Sequence, residues 1–213
     1  MNPINESTVS SLLSVVDHGL TSGLGEPIPG QMCVEAAVCY SLGLPHGDDP
    51  LCVANSLRHL KIRINDAAWS SNAARAKGLR RLAVAQLGTK NTLNKYEFAK
   101  RVLIMLVKTT LADIVEDETL RNKCRSVETI EEAREAAIAV RNAPVVYYAA
   151  AAADYVVYAV YYDAASAASA VAAYAAVNCA NGDKVLSDFC ENVVQILIDM
   201  KTPGCEFLYL TEK

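Results

Sequence analysis

Cys33 is the side chain with the most evident potential for chemistry, because it stands at the start of a predicted helix. A cysteine in the first turn of a helix has its thiolate stabilised by the helix dipole and by free backbone amides. Gln31, two positions earlier, could donate a hydrogen bond to an oxyanion. A thiol nucleophile also needs a histidine base, and the chain contains only His18, His46 and His59. We therefore name Cys33 and His46 as the catalytic candidates of a minor hypothesis, a Cys33-based thiol hydrolase.

The loop LPHGDDP at residues 44–50 contains His46, Asp48 and Asp49, which are residue types that bind metals. Three ligands this close in sequence rarely all point inward, and an aspartate before a helix is a typical helix cap. We therefore predict that one aspartate caps the next helix, and we predict neither a metal site nor a cofactor. The sequence also lacks the motifs of phosphate-binding loops, dinucleotide folds, zinc proteases and serine hydrolases, so an enzyme is the less favoured interpretation.

Charge is strongly segregated along the chain. Residues 1–57 contain six acidic and no basic side chains, residues 58–108 contain twelve basic and two acidic ones, and residues 109–213 contain sixteen acidic and eight basic ones. A basic segment of this kind attracts nucleic acid, nucleotides or an acidic partner. Alternatively, its charges pair with the acidic segments of the same fold. The predicted anion-binding residues are Arg58, Lys61, Arg63, Arg80 and Arg81.

Residues 144–178 predict one long helix, because they contain no glycine and consist largely of alanine, valine and tyrosine. At 100° per residue, six of the tyrosines fall within an arc of roughly 140°. Tyrosine suits interfaces because it buries a ring while its hydroxyl stays hydrogen-bonded. This face either contacts another chain or packs beneath neighbouring helices. The predicted partner-binding residues are Tyr147, Asp154, Tyr155, Tyr158 and Tyr162.

The whole pattern predicts an all-α fold, a single-domain multi-helix bundle with one long Ala/Tyr-rich helix. Subregions 1–88 and 89–213 are expected to share one core. Ser71 and Thr129 are predicted helix caps. Outside the long helix, the predicted helices cover residues 7–18, 31–42, about 50–64, 71–87, 96–115, 118–125, 129–141 and 183–200.

The seven cysteines are odd in number and lack CxxC spacing, which favours buried free thiols in a reducing compartment. The first fourteen residues lack the pattern of a signal peptide. Asp154 and Asp163 argue against a membrane span at residues 145–180, since a charge near the bilayer centre costs about 2.5–3.5 kcal/mol. We therefore expect a cytoplasmic protein with no membrane partner.

Two segments resemble known proteins. The stretch YYAAAAADYVVYAVYYDAASAASAVAAYAA at residues 147–176 resembles the repetitive helical region of bacterial immunity proteins. That resemblance implies a small cytoplasmic protein that neutralises a toxin by binding it. The segment GLGEPIPGQMCVEAAVCYSLGLPHGDDPLCV at residues 23–53 is similar to uncharacterised bacterial and phage proteins of like length. Neither resemblance supplies a site residue.

The sequence therefore favours a non-catalytic protein-binding module of the immunity or phage counter-defence type. Its partner would be a second copy of the chain or a heterologous protein. A nucleic-acid or nucleotide binder that uses the basic segment at residues 58–81 is the alternative, and the Cys33-based thiol hydrolase is a second alternative.

Overall fold

The structure is a computed structural model that describes residues 2–144, 149–151, 153, 154, 157, 176 and 181–212. Within these residues the chain forms helices and no strand, and a single antiparallel bridge joins Gly25 to Met32. The predicted all-α, multi-helix fold is thereby confirmed. Most of the predicted long helix lies outside the described residues.

The helices agree closely with the pattern of the sequence. A π-helical segment, Val107–Leu111, joins α5 to α6, and 3-10 segments occupy Thr89–Asn91 and Pro203–Glu212. In chain order the α-helices are α1 Glu6–Asp17, α2 Val34–Ser41, α3 Asn55–Asn65, α4 Asn72–Ala85, α5 Lys95–Leu106, α6 Ala112–Ile114, α7 Glu118–Arg125, α8 Ile130–Asn142 and α9 Gly182–Asp199.

Two of the predicted helix caps are present and one prediction is wrong. The Ser71 side chain accepts a hydrogen bond at the start of α4, and Thr129 forms a capping box with Glu132 at the start of α8. Neither Asp48 nor Asp49 caps α3, whose N-cap is Ala54 without a side-chain hydrogen bond. The two aspartates lie too early in the chain to reach the first turn of α3, and they face Arg58 in its interior instead.

One continuous cluster of buried apolar side chains extends from α1 to the C-terminal segment. Its centre is the contact between α4 and α9, to which Leu79, Leu82, Phe189 and Val193 contribute fully or almost fully buried side chains. The C-terminal 3-10 segment packs on α4 and α1. No helix among the described residues is both long and apolar enough to cross a membrane.

Candidate functional site

Two loops on either side of α2 lie against each other. The first loop comprises residues 21–33 and the second comprises residues 43–54. Within the first loop, Thr21 N donates to Met32 O at 2.9 Å and Cys33 N donates to Leu24 O at 3.1 Å. The His46 Nε2 atom of the second loop lies 2.9 Å from Gly25 O of the first. These bonds hold both loops in one defined arrangement.

Gly25 is required by the turn of the first loop. Its φ angle is +70°, a conformation that side-chain-bearing residues rarely adopt. A Cβ atom at this position would lie 1.9 Å from Gln31 O, which is a severe clash with the backbone. The loop can therefore close on itself only with glycine here.

The C-terminal end of α3 anchors the first loop. Asp66 Oδ1 accepts hydrogen bonds from Gly23 N at 2.7 Å and from Asn65 Nδ2 at 2.9 Å. Asn65 Nδ2 also donates to Thr21 O at 2.8 Å, while Asn65 Oδ1 accepts from Val34 N at 3.1 Å. These two side chains therefore fix the loop relative to the start of α2.

Arg75 of α4 also binds the end of α3 and the residue that precedes the first loop. Its guanidinium is almost fully buried and donates to Asn65 O at 2.7 Å and to Leu20 O at 2.9 Å. A third hydrogen bond goes to Asn72 Oδ1 at 2.7 Å. Burial lowers the pKa of Arg75, with the Asp66 charge opposing that effect.

A fully buried ion pair lies beneath the two loops. The Lys61 Nζ atom of α3 is 3.1 Å from the Glu35 Oε1 atom of α2, and both side chains are entirely inaccessible to solvent. The approach is not aligned for a well-formed hydrogen bond, and Glu35 Oε2 has no hydrogen-bond partner among the described residues. The ion pair therefore leaves hydrogen-bonding capacity unused in the protein interior.

Burial governs the protonation of both partners. Desolvation raises the pKa of Glu35, and the positive charge of Lys61 opposes that rise. Desolvation likewise lowers the pKa of Lys61, and the negative charge of Glu35 opposes that fall. Burying two opposite charges costs several kcal/mol per ion, and their attraction often does no more than offset this cost. The ion pair is therefore poorly explained by stability alone.

A cavity of about 40 Å³ lies beside this ion pair. Its walls come from the first loop, the second loop, the start of α2 and the end of α3. The polar lining consists of the carboxyl-bearing Glu35, Asp48 and Asp66, together with Cys33 and Asn65. A cavity of this size holds water or the tip of one small polar group.

Cys33 lines the cavity as the N-cap of α2. Its Sγ atom accepts a hydrogen bond from Ala36 N at 3.3 Å. Burial raises the pKa of the thiol, although the backbone amides of α2 favour the thiolate. The described contact of His46 is with Gly25 O, not with Cys33 Sγ. The arrangement therefore keeps Cys33 protonated near neutral pH and does not pair it with His46.

Most of the predicted anion-binding residues are paired with carboxylates of the same chain. Arg58 Nη2 lies 2.7 Å from Asp48 Oδ1, and Lys61 is buried against Glu35. Arg80 lies 2.7 Å from Asp17, and Arg81 lies 3.0 Å from Glu191. Arg63 is exposed and has no carboxylate partner in the described part of the chain. Binding of nucleic acid by this segment stays a prediction.

The predicted tyrosine surface falls largely outside the described residues. Tyr147, Tyr155, Tyr158 and Tyr162 are not among them. Asp154 is described, and its Oδ1 atom lies 3.6 Å from the Arg141 guanidinium. Contact of this face with a partner stays a prediction.

Apolar side chains project from the two ordered loops. Leu24 is 42% exposed, Ile28 is 50% exposed and Leu51 is 59% exposed. We call these three residues the docking surface, after the role that we propose for them below. Leu24 also lines the cavity, so the docking surface and the cavity adjoin.

Sequence reasoning missed Glu35, Asn65 and Asp66. Glu35 carried a usable signal, because it is the only charged residue in the otherwise apolar or weakly polar run VEAAVCYS of α2. Lys61 was singled out, although for anion binding and not as the partner of a buried carboxylate. In the described part of the chain, no three side chains of the metal-binding types are grouped to hold a metal ion.

Comparisons with known proteins gave no relative. No protein-family model, no curated protein and no solved structure matches the chain.

Proposed function

We propose that the chain is a protein-binding module that acts by occupying a surface of its partner, as immunity and phage counter-defence proteins do. The observation that supports this most directly is the docking surface, formed by Leu24, Ile28 and Leu51 on the two ordered loops. Exposed apolar side chains next to a polar rim are typical of interaction sites.

The order of the loops favours binding by a rigid surface. The bridge between Gly25 and Met32, the His46 contact and the Asp66 anchor keep both loops in place. Association is weakened by the entropy lost when flexible segments become ordered. A loop pair that is already ordered avoids most of that loss, so a few apolar contacts suffice for useful affinity.

The charges around the docking surface favour a heterologous, basic partner. Glu26 and Asp49 are exposed on the two loops, and residues 1–57 contain no lysine or arginine. Arg58, which faces Asp48 and Asp49, is itself mostly buried. Two copies of the chain that met through this surface in a symmetric dimer would bring the same acidic groups together. Like charges at an interface disfavour association. Phosphate groups would be repelled for the same reason, which makes nucleic acid an unsuitable ligand for this surface.

The first prediction is that Ile28→Asp weakens partner binding at least tenfold. The substitution places a charge in the middle of an apolar contact. Loss of an interface anchor costs about 2 kcal/mol or more, and about 1.4 kcal/mol corresponds to a tenfold loss of affinity. The partner is first captured from host lysate with the wild-type chain and identified. Its affinity for purified variants is then measured by calorimetry.

Tyr96→Asp is the matched control, because Tyr96 is 77% exposed and lies on α5, away from both loops in sequence. It should bind as the wild type does. A partner that Tyr158→Ala releases and Ile28→Asp retains would place the interface on the tyrosine face and contradict our assignment of the docking surface.

A further inference from the structure

We propose that the cavity beneath the two loops binds a primary ammonium group, supplied by a lysine side chain of the partner, with Glu35 as the acceptor at its base. The inference rests on the protein-binding function proposed above and specifies which chemical group of the partner is recognised.

The first argument is the unsatisfied carboxylate. Glu35 is fully buried, lines the cavity and has no described hydrogen-bond partner for Oε2. Leaving a buried polar atom without a partner is unfavourable, and the penalty is larger for a charged group. An N–H donor that enters the cavity would remove this penalty. The unfilled acceptor therefore favours a donor ligand.

The second argument is the use of donors along the cavity wall. Gly23 N already donates to Asp66, and Val34 N already donates to Asn65. The Asn65 amide nitrogen donates to Thr21 O and to Asp66. These donors of the lining are occupied, whereas carboxylate oxygens line the cavity. Lys61 Nζ, which is not part of the lining, has no hydrogen bond in the described part of the chain. The lining therefore suits a ligand that donates several hydrogen bonds and needs to accept none, as an ammonium group does.

The third argument is charge. Glu35, Asp48 and Asp66 all line the cavity. Lys61 pairs with the first of these carboxylates and Arg58 pairs with the second. Asp66 forms no ion pair in the described part of the chain, and the Arg75 guanidinium offsets its charge only from a distance. The negative charge that remains favours a cation over a neutral donor.

The fourth argument is size and access. A volume of about 40 Å³ admits a group of a few heavy atoms, such as an ammonium with the methylene next to it. Leu24 lies both in the cavity wall and on the docking surface. The apolar stem of a lysine could therefore pack on Leu24 while its charged end reaches Glu35, which is how long basic side chains commonly bind.

The test is a titration of the purified full chain with n-butylammonium, a mimic of the lysine side chain. Binding is followed by NMR at the Gly23 backbone amide and the Asn65 side-chain amide. We expect saturable shifts with a millimolar Kd. We expect no saturable shift with 1-butanol, which lacks the charge, or with tetramethylammonium, which lacks N–H donors. Absence of saturation with n-butylammonium, or an equal response to 1-butanol, would overturn the proposal and leave the cavity to water.

Two variants locate the site. Leu24→Trp places a bulky ring at the mouth of the cavity and should weaken n-butylammonium binding at least tenfold. Tyr96→Trp makes a similar change at an exposed position on α5, outside both the cavity lining and the docking surface, and it should leave that binding unchanged. Equal loss in both variants, or in neither, would show that the ammonium binds elsewhere.

A competition experiment separates the inference from the proposed function. If the partner supplies the ammonium, n-butylammonium should displace the captured partner and 1-butanol should not. If n-butylammonium binds the cavity without displacing the partner, the site takes a free amine and the lysine assignment is wrong. If Ile28→Asp releases the partner while n-butylammonium does not bind, the docking surface stands and the ammonium site fails.

Discussion

The polar centre beneath the two loops and the contact between α4 and α9 are both buried, but they differ in composition. The polar centre contains Glu35, Lys61 and Asn65, whereas the helix contact is made by leucine, valine and phenylalanine side chains. Apolar side chains need only shape complementarity, since they have no hydrogen bonds to fill. A buried polar group needs a partner for every donor and acceptor. A buried polar group without a partner therefore requires an explanation other than packing.

The Glu35–Lys61 ion pair illustrates this difference. Replacing a buried ion pair by apolar side chains of similar volume is often neutral or stabilising. A chain selected for stability alone would accordingly gain little from this ion pair. The adjoining cavity and the Oε2 atom without a hydrogen bond are the observations from which we propose a role of this carboxylate in recognition.

The largest effect is expected from breaking the ion pair on one side. Lys61→Met leaves Glu35 buried without its counter-ion, and we expect the free energy of unfolding to fall by about 3–5 kcal/mol. The double variant Glu35→Leu/Lys61→Met removes both charges and should recover most of that loss. Urea denaturation of both variants measures the difference. A single variant as stable as the wild type would show that the ion pair is not charged in the native state.

A smaller effect on the free energy of unfolding is expected at the contact between α4 and α9, where stability depends on how closely the side chains pack and not on charge. A Cβ atom at Gly78 would lie 2.2 Å from Trp69 Cη2 and 2.9 Å from Ser187 Oγ, so the tryptophan ring must move. Overpacking costs about 1–3 kcal/mol, and the higher helix propensity of alanine offsets about 0.5–1 kcal/mol. We therefore expect Gly78→Ala to lower the free energy of unfolding by about 1 kcal/mol.

Tryptophan fluorescence provides the check on this second change. Trp69 is the only tryptophan, and its Nε1 atom donates to Ile64 O at 2.8 Å. Displacement of the ring should shift its emission in Gly78→Ala. The control Gly47→Ala, in the second loop, should leave the emission unchanged, because a Cβ atom there would meet only Pro45 O at 3.9 Å. Unchanged emission and stability in Gly78→Ala would mean that the α4–α9 contact accommodates extra volume.

Helix periodicity and end signals made most of the fold predictable from the sequence. Ser71 and Thr129 cap α4 and α8 because a short polar side chain before an apolar run satisfies the first free amides locally. Asp48 lacked that local relation to α3, and a side chain in the interior of the helix decided its position. Local signals predict local structure, so the cap assigned to the second loop was wrong.

The candidate site was harder to predict because its contacts are distant in sequence. Asn65 contacts Thr21 and Val34, and Lys61 contacts Glu35 across 26 positions. Composition identified the basic segment without showing that Lys61 would turn inward. A single sequence does not reveal such pairings, because the apolar run around Glu35 can indicate a buried carboxylate but not which basic residue meets it.

The smallest effect is expected at the surface ion pair between Arg81 and Glu191, which joins α4 to α9 outside their apolar contact. The Arg81 Nε and Glu191 Oε2 atoms are 3.0 Å apart, as close as the atoms of the buried pair, but the side chains are 33% and 50% exposed. Water screens such a pair and its side chains lose entropy, so a double-mutant cycle of Arg81→Gln and Glu191→Gln should give a coupling energy of about 0.2–1 kcal/mol. That coupling should vanish in 1 M salt, where the Debye length is about 3 Å, whereas the destabilisation by Lys61→Met should persist. A coupling above about 2 kcal/mol at high salt would mean that separation, not burial, sets the strength of ion pairs in this chain, and the contrast between the two regions would be wrong.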